Sequence, residues 1–155
     1  MTATEHLYLD KQHPDLWRAI SGLGLKVQEA AEDAGIARGL LELLNVRISQ
    51  INGCAYCLDL HVRKAGEAGE SAQRLAVLPA WRETALFTDQ ERAALALVES
   101  ITELGDEEAR EHAEAYARER LSADEFSAVS WVAVTMNAFN RVSITSHHPV
   151  RRNRP

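Results

Sequence analysis

The sequence predicts an all-α protein, a compact bundle of about seven helices, and three observations carry that expectation. Apolar residues recur at intervals of three and four rather than two, helix-opening capping patterns occur twice, and glycines punctuate the periodic stretches with no Pro- or Ser-rich linker between them. With 155 residues and no internal repeat, one domain over 1–155 is expected, with 1–12 as an N-terminal arm and 142–155 as a C-terminal tail.

Each element follows from its own signals. Pro14 suits an opening turn, and Leu16, Ile20, Leu23 and Val27 continue one face to about Asp33, where Gly35 stops it. A second helix covers about Ala37 to Ile51 and ends at Asn52-Gly53; a third starts at or near Cys54 and runs to about Ala68, with Gly69 as its stop. A short helix from Ser71 to Val77 precedes Pro79 and a loop holding Trp81. Thr88-Asp89-Gln90-Glu91 has the form of a capping box and opens a helix through Ala94, Leu95, Val98, Ile101 and Leu104 that ends at Gly105. Glu107 to Arg120 makes a more charged helix. Ser122-Ala123-Asp124-Glu125 is a second capping box, whose helix passes Val129, Val132 and Met136 to about Asn140, with Arg141 placed to complement its dipole. The three tryptophans, Trp17, Trp81 and Trp131, read as core or subunit-interface residues, and His147-His148 as a loop before Pro149.

Composition excludes several function classes. A formal charge of −6 argues against a nucleic-acid partner, since the one basic run is Arg151-Arg152-Asn153-Arg154. No stretch approaches the roughly 20 apolar residues of a membrane span, and the first residues lack a charged-then-apolar signal pattern. A cytoplasmic protein with no membrane partner is expected, in a compartment that keeps thiols reduced.

Both cysteines of the chain lie in Asn52-Gly53-Cys54-Ala55-Tyr56-Cys57-Leu58-Asp59-Leu60-His61. On a helix, Cys54, Cys57 and His61 share one face, so an imidazole sits one turn beyond a thiol. That placement matters because the thiolate is the attacking species, and an unperturbed thiol of pKa about 8.5 is only roughly 3 % ionised at pH 7. Glu42, set in Leu40-Leu41-Glu42-Leu43-Leu44, is expected to be partly buried. If the second and third helices fold back at Asn52-Gly53, Glu42 lies about 15 Å before the turn and His61 about 12 Å after it, so the two face each other at similar height. The carboxylate would fix the tautomer of the ring and stabilise its charged form, and the ring could then take a proton from a thiol. Helix-terminus electrostatics favour Cys54 as the thiolate, whereas the contact with His61 one turn on favours Cys57. Taken alone, Glu42 would by default pair with an arginine such as Arg47 or Arg63. A zinc site built from Cys54, Cys57, His61 and Glu42 is the rival reading, weakened because three ligands crowded on one helix approach a tetrahedron poorly.

Glu42, eleven residues, Cys54, two, Cys57, three, His61 resembles the core motif of the AhpD-like alkylhydroperoxidases within the carboxymuconolactone decarboxylase superfamily. Asn52-Gly53-Cys54-Ala55-Tyr56-Cys57, Glu91-Arg92-Ala93-Ala94-Leu95-Ala96 and Asn137-Ala138-Phe139-Asn140-Arg141 resemble its peroxidase-related branch, and the likeness spans roughly residues 15 to 142. The resemblance implies an AhpD-like fold, assembly as a homotrimer or homohexamer, and reduction of hydroperoxides through a CxxC dithiol/disulfide cycle with no metal and no other cofactor. It further implies Cys57 as the peroxidatic thiol, Cys54 as the resolving one, His61 and Glu42 as a proton relay, and an external dithiol reductant of lipoyl or thioredoxin type. In the best-known members a histidine precedes the second cysteine; here that residue is Tyr56, which either packs or lines the pocket. A redox-responsive interaction protein is the reading of another class. Lactone decarboxylation is disfavoured, because the members that perform it do not depend on this cysteine pair.

Overall fold

The structure is a computed structural model and describes residues 6–153; residues 1–5 of the predicted arm and 154–155 of the predicted tail lie outside it. The described residues form eight α-helices and one 3-10 helix, with no strand. Seven of the helices are those expected from the sequence; the eighth is a single turn, α1 (Leu9–Gln12).

Helix α2 (Pro14–Asp33) opens on Pro14 and gives way at Gly35, whose φ is +92°. Helix α3 (Arg38–Asn52) is the central rod: Leu40, Leu41, Leu43, Leu44, Val46 and Ile48 are all buried, because α4, α6 and α8 pack around it. It ends at Gly53, in the left-handed conformation at φ +69°, with the Gly53 N–H on the Gln50 carbonyl at 3.3 Å and the Cys54 N–H on the Ser49 carbonyl at 3.1 Å. This two-bond closure is a Schellman motif, and it reverses the chain so that α4 (Ala55–Glu67) packs back along α3.

Helix α5 (Ala72–Val77) leads into the 3-10 segment Leu78–Glu83, kinked at the non-helical Ala80, where a loop was expected. Trp81 accounts for that order: it is buried, and its indole N–H donates to Glu99 Oε1 at 2.8 Å. Both capping boxes form as expected, Thr88 with Glu91 ahead of α6 (Asp89–Glu103) and Ser122 with Glu125 ahead of α8 (Ala123–Thr145). Helix α6 stops one residue before the predicted glycine, on Leu104 at φ +48°, and α7 (Glu107–Arg118) lies against it.

The expected end of the last helix needs correction. Helix α8 continues past Asn140 to Thr145, because Asn137 and Asn140 turn inward rather than ending the helix. The Asn52 side-chain amide donates to Asn140 Oδ1 and Asn137 Oδ1, both at 2.9 Å, Asn140 donates to Ser49 Oγ at 3.1 Å, and Asn137 donates to Thr102 Oγ1 at 3.0 Å. This network ties the end of α3 to α6 and α8. Trp131 is 51 % exposed on α8, which removes the core alternative for it and leaves the subunit-interface one.

Candidate active site

Cys54 is the N-cap of α4, and its sulfur accepts the Cys57 backbone N–H at 3.3 Å. The two cysteines are joined as a disulfide and both are buried. A backbone N–H of the opening helix turn therefore reaches the Cys54 sulfur, an arrangement that favours negative charge there once the bond is reduced.

One turn further along α4, His61 Nδ1 lies 2.6 Å from Glu42 Oε2 of α3. Glu42 is 2 % exposed, and its other oxygen pairs with Arg38 Nη2 at 3.2 Å. Burial by itself would raise the Glu42 carboxyl; the hydrogen bond to His61 and the positive charges of His61, Arg38 and Lys64 outweigh it and hold the group below its ordinary 4.5. The site thus contains a carboxylate that stays ionised at neutral pH against an imidazole. The arginine partner is Arg38, not Arg47 or Arg63, which pair instead with Glu99 and Asp59. Arg38 stands four residues before Glu42 on the same helix, so spacing alone could have found it.

Cys57, His61, Glu42 and Tyr56 all border one cavity of about 390 Å³. Trp17 and Leu25 from α2, Leu60 from α4, and Val132, Met136 and Phe139 from α8 supply most of its apolar wall. Phe139 meets Trp17 edge-on, with ring centroids 5.7 Å apart, and it packs so close to α2 that a Cβ at Gly24 would lie 3.0 Å from its ring. Tyr56 is 40 % exposed and lines the cavity, with its ring 5.2 Å from that of His148. Among the described residues, no group of three or more His, Cys, Asp or Glu side chains is placed to hold a metal ion.

Residues 14–100 match the carboxymuconolactone decarboxylase family. The chain belongs to that family. It is 36 % identical to the uncharacterized protein YdfG of Bacillus subtilis strain 168 over 122 residues, which take in 77 % of this chain and 82 % of YdfG. A shorter likeness, 36 % over 60 residues, links 39 % of the chain to 33 % of the uncharacterized protein YnjA of Escherichia coli K12. The fold matches the crystal structure of ATU0492 from Agrobacterium tumefaciens, a protein of unknown function described as a candidate antioxidant defence protein AhpD. That match has a TM-score of 0.83 at 29 % identity and covers 96 % of this chain and 100 % of that one. This carboxymuconolactone decarboxylase family member is therefore AhpD-like in fold, and no helix among its described residues is long and apolar enough to cross a membrane.

Proposed function

We propose that the protein is a thiol-dependent peroxidase that reduces hydroperoxides through its Cys54/Cys57 pair. The observation that carries this reading is the pair of buried Glu42 and half-buried His61, bordering the same cavity as Cys57, with His61 one helical turn from it. In the reduced enzyme His61 takes the Cys57 proton, and the ionised Glu42 stabilises the resulting imidazolium. The Cys57 thiolate attacks the distal oxygen of the peroxide. The O–O bond breaks, the alcohol leaves after gaining a proton, and Cys57 becomes a sulfenic acid. Cys54 attacks that sulfur, water leaves, and the disulfide closes; an external dithiol then reduces it and is itself oxidised. Cys57, rather than Cys54, lines the cavity and stands one turn from His61, and this access outweighs the helix-cap N–H on Cys54 in giving attack to the former and resolution to the latter.

A lipoyl-type or thioredoxin-like dithiol fits as donor, and a cytoplasmic setting would supply it. Assembly as a trimer or hexamer is part of the same reading, supported by the exposed Leu16 and Leu25 on α2 and Trp131 and Val134 on α8. A single 17 kDa particle in light scattering would refute the assembly.

The test is steady-state consumption of tert-butyl hydroperoxide with excess dihydrolipoamide, alongside sulfenic acid trapping on single cysteine variants. Sustained turnover, lost in Cys57→Ser, with an adduct on Cys57 in Cys54→Ser, is expected. Oxidation that stops after one equivalent would sink the peroxidase reading in favour of a redox-responsive protein, and an adduct on Cys54 alone would reverse the two roles.

A further inference from the structure

The C-terminal end of α8 builds a second polar chain into the same cavity. The helix closes with His147 in the left-handed conformation at φ +47°, its N–H on the Ile144 carbonyl and the His148 N–H on the Ser143 carbonyl, each at 3.1 Å. This is the closure that also ends α3, and it folds His148 back over its own helix. His148 Nδ1 then lies 3.1 Å from Ser143 Oγ, while its Nε2 lies 3.0 Å from Asp10 Oδ1 of α1. The His148 and Asp10 side chains are 14 % and 21 % exposed. The Tyr8 ring stacks on the imidazole at 5.7 Å and the Tyr56 ring lies at 5.2 Å. Lys11 stands over the far partner, Tyr8, and His6 lies near His147, so Asp10 supplies the negative charge in contact with the ring.

Ser143 is buried and lines the cavity with Cys57 and His61. Its hydroxyl differs from those of the buried Ser49 and Thr135 and the half-buried Ser130. Ser49, Ser130 and Thr135 each donate to the carbonyl four residues back at 2.8 Å, whereas Ser143 Oγ, among the described residues, is paired with His148. An ionised Asp10 can only accept, so His148 Nε2 carries its proton toward Asp10. With the ring neutral, Nδ1 accepts from the Ser143 O–H. With the ring protonated, Nδ1–H donates to Ser143 Oγ and the serine proton is free to point into the cavity.

We propose that Ser143, His148 and Asp10 form a proton relay that protonates the leaving oxygen of the peroxide, an inference that rests on the peroxidase reading. As the Cys57 thiolate takes the distal oxygen and the O–O bond breaks, the electron pair stays on the proximal oxygen. Ser143 gives that oxygen its proton, the His148 Nδ1 proton moves to Ser143, and the ring ends neutral with Nε2–H still on Asp10. The products are the alcohol, the Cys57 sulfenic acid and a relay one proton poorer, which solvent restores. Ser143 is the residue that meets substrate; His148 and Asp10 are positioning residues acting through it. The two proton chains then divide the work: Glu42–His61 removes a proton from sulfur, and this one delivers a proton to oxygen.

Leaving-group dependence tests the division. An alkyl hydroperoxide expels a strongly basic alkoxide that needs a proton, whereas a peroxy acid expels a carboxylate that needs none at pH 7. Single-turnover oxidation of the reduced protein by tert-butyl hydroperoxide and by peracetic acid is measured for wild type, Ser143→Ala, His148→Gln and Asp10→Asn. Ser143→Ala and His148→Gln are expected to slow the alkyl hydroperoxide by about a hundredfold, the range of general acid catalysis, and peracetic acid by less than about threefold. Asp10→Asn, a conservative change on a surface turn, is expected to fall between wild type and His148→Gln with the same selectivity. Equal losses with both oxidants, or no loss with either, would overturn the relay while leaving the peroxidase reading intact. A wild-type protein inert to both oxidants would remove the peroxidase reading itself and the relay with it.

Discussion

Glu42→Gln separates charge from shape at the candidate site. The substitution keeps a side chain of the same length at a position that is 2 % exposed, but removes the negative charge held 2.6 Å from His61 Nδ1. Charge centres about 4 Å apart at an effective dielectric of about 20 attract by about 4 kcal/mol. A neutral amide oxygen still accepts a hydrogen bond worth about 1 kcal/mol, so about 3 kcal/mol of imidazolium stabilisation is lost. At 1.36 kcal/mol for each factor of ten, this lowers the rate at which Cys57 is oxidised by about a hundredfold. Arg38, which keeps Glu32 at 3.5 Å but loses the closer Glu42 carboxylate, works in the same direction. The assay is stopped-flow thiol loss from the fully reduced protein mixed with tert-butyl hydroperoxide at pH 7, with circular dichroism to establish that the variant is folded. A folded Glu42→Gln protein that reacts within about twofold of wild type would refute the reasoning, because a counter-ion at this distance cannot be that weak if His61 is the base.

Two stability predictions follow from the polar groups inside the bundle. Asn140→Ala removes the bond accepted from Asn52 and the bond donated to Ser49, at a cost of about 2 kcal/mol, which lowers Tm by about 4–8 °C in a domain of this size; a urea titration showing under about 0.5 kcal/mol would refute it. Acid sensitivity should come from Glu42 and Glu99, both held below their ordinary 4.5. For Glu99, burial raises the carboxyl, but hydrogen bonds from Trp81, Arg47 and Arg82 and the Arg82 charge lower it further. A carboxyl with a depressed folded value contributes stability that is fully present above its unfolded value and lost as pH falls through the folded one. Unfolding free energy measured in urea should therefore fall as pH drops below about 4.5, and Glu99→Gln should be weaker at pH 7 yet lose less on acidification. An unchanged slope in that variant would exclude Glu99 as a source.

The division between sequence and structure runs along the reach of each interaction. Caps and helix faces were legible because their partners lie three or four residues apart: Thr88 with Glu91, Ser122 with Glu125, Cys57 with His61. The meeting of Glu42 and His61 was also legible, since one glycine turn and a fixed rise per residue set the height of each on neighbouring rods. Several local signals misled. Asn140 reads as a helix end, but side chains from α3 satisfy it and the helix continues; Gly105 reads as a stop, but Leu104 takes the left-handed conformation first.

The sequence by itself determined the helices, the turn at Gly53 and the line of sulfur, sulfur and imidazole along α4, all consequences of bonds between near neighbours in the chain. Tertiary structure decided what faces that line. It brought Trp17 and Phe139 together as cavity wall, sent Arg47 to Glu99 and left Glu42 to Arg38, and laid His148 between Asp10, Tyr56 and Ser143. Those contacts join residues up to 138 positions apart. No spacing rule encodes them, because they depend on how whole helices pack, and packing is settled by the fit of every buried side chain at once.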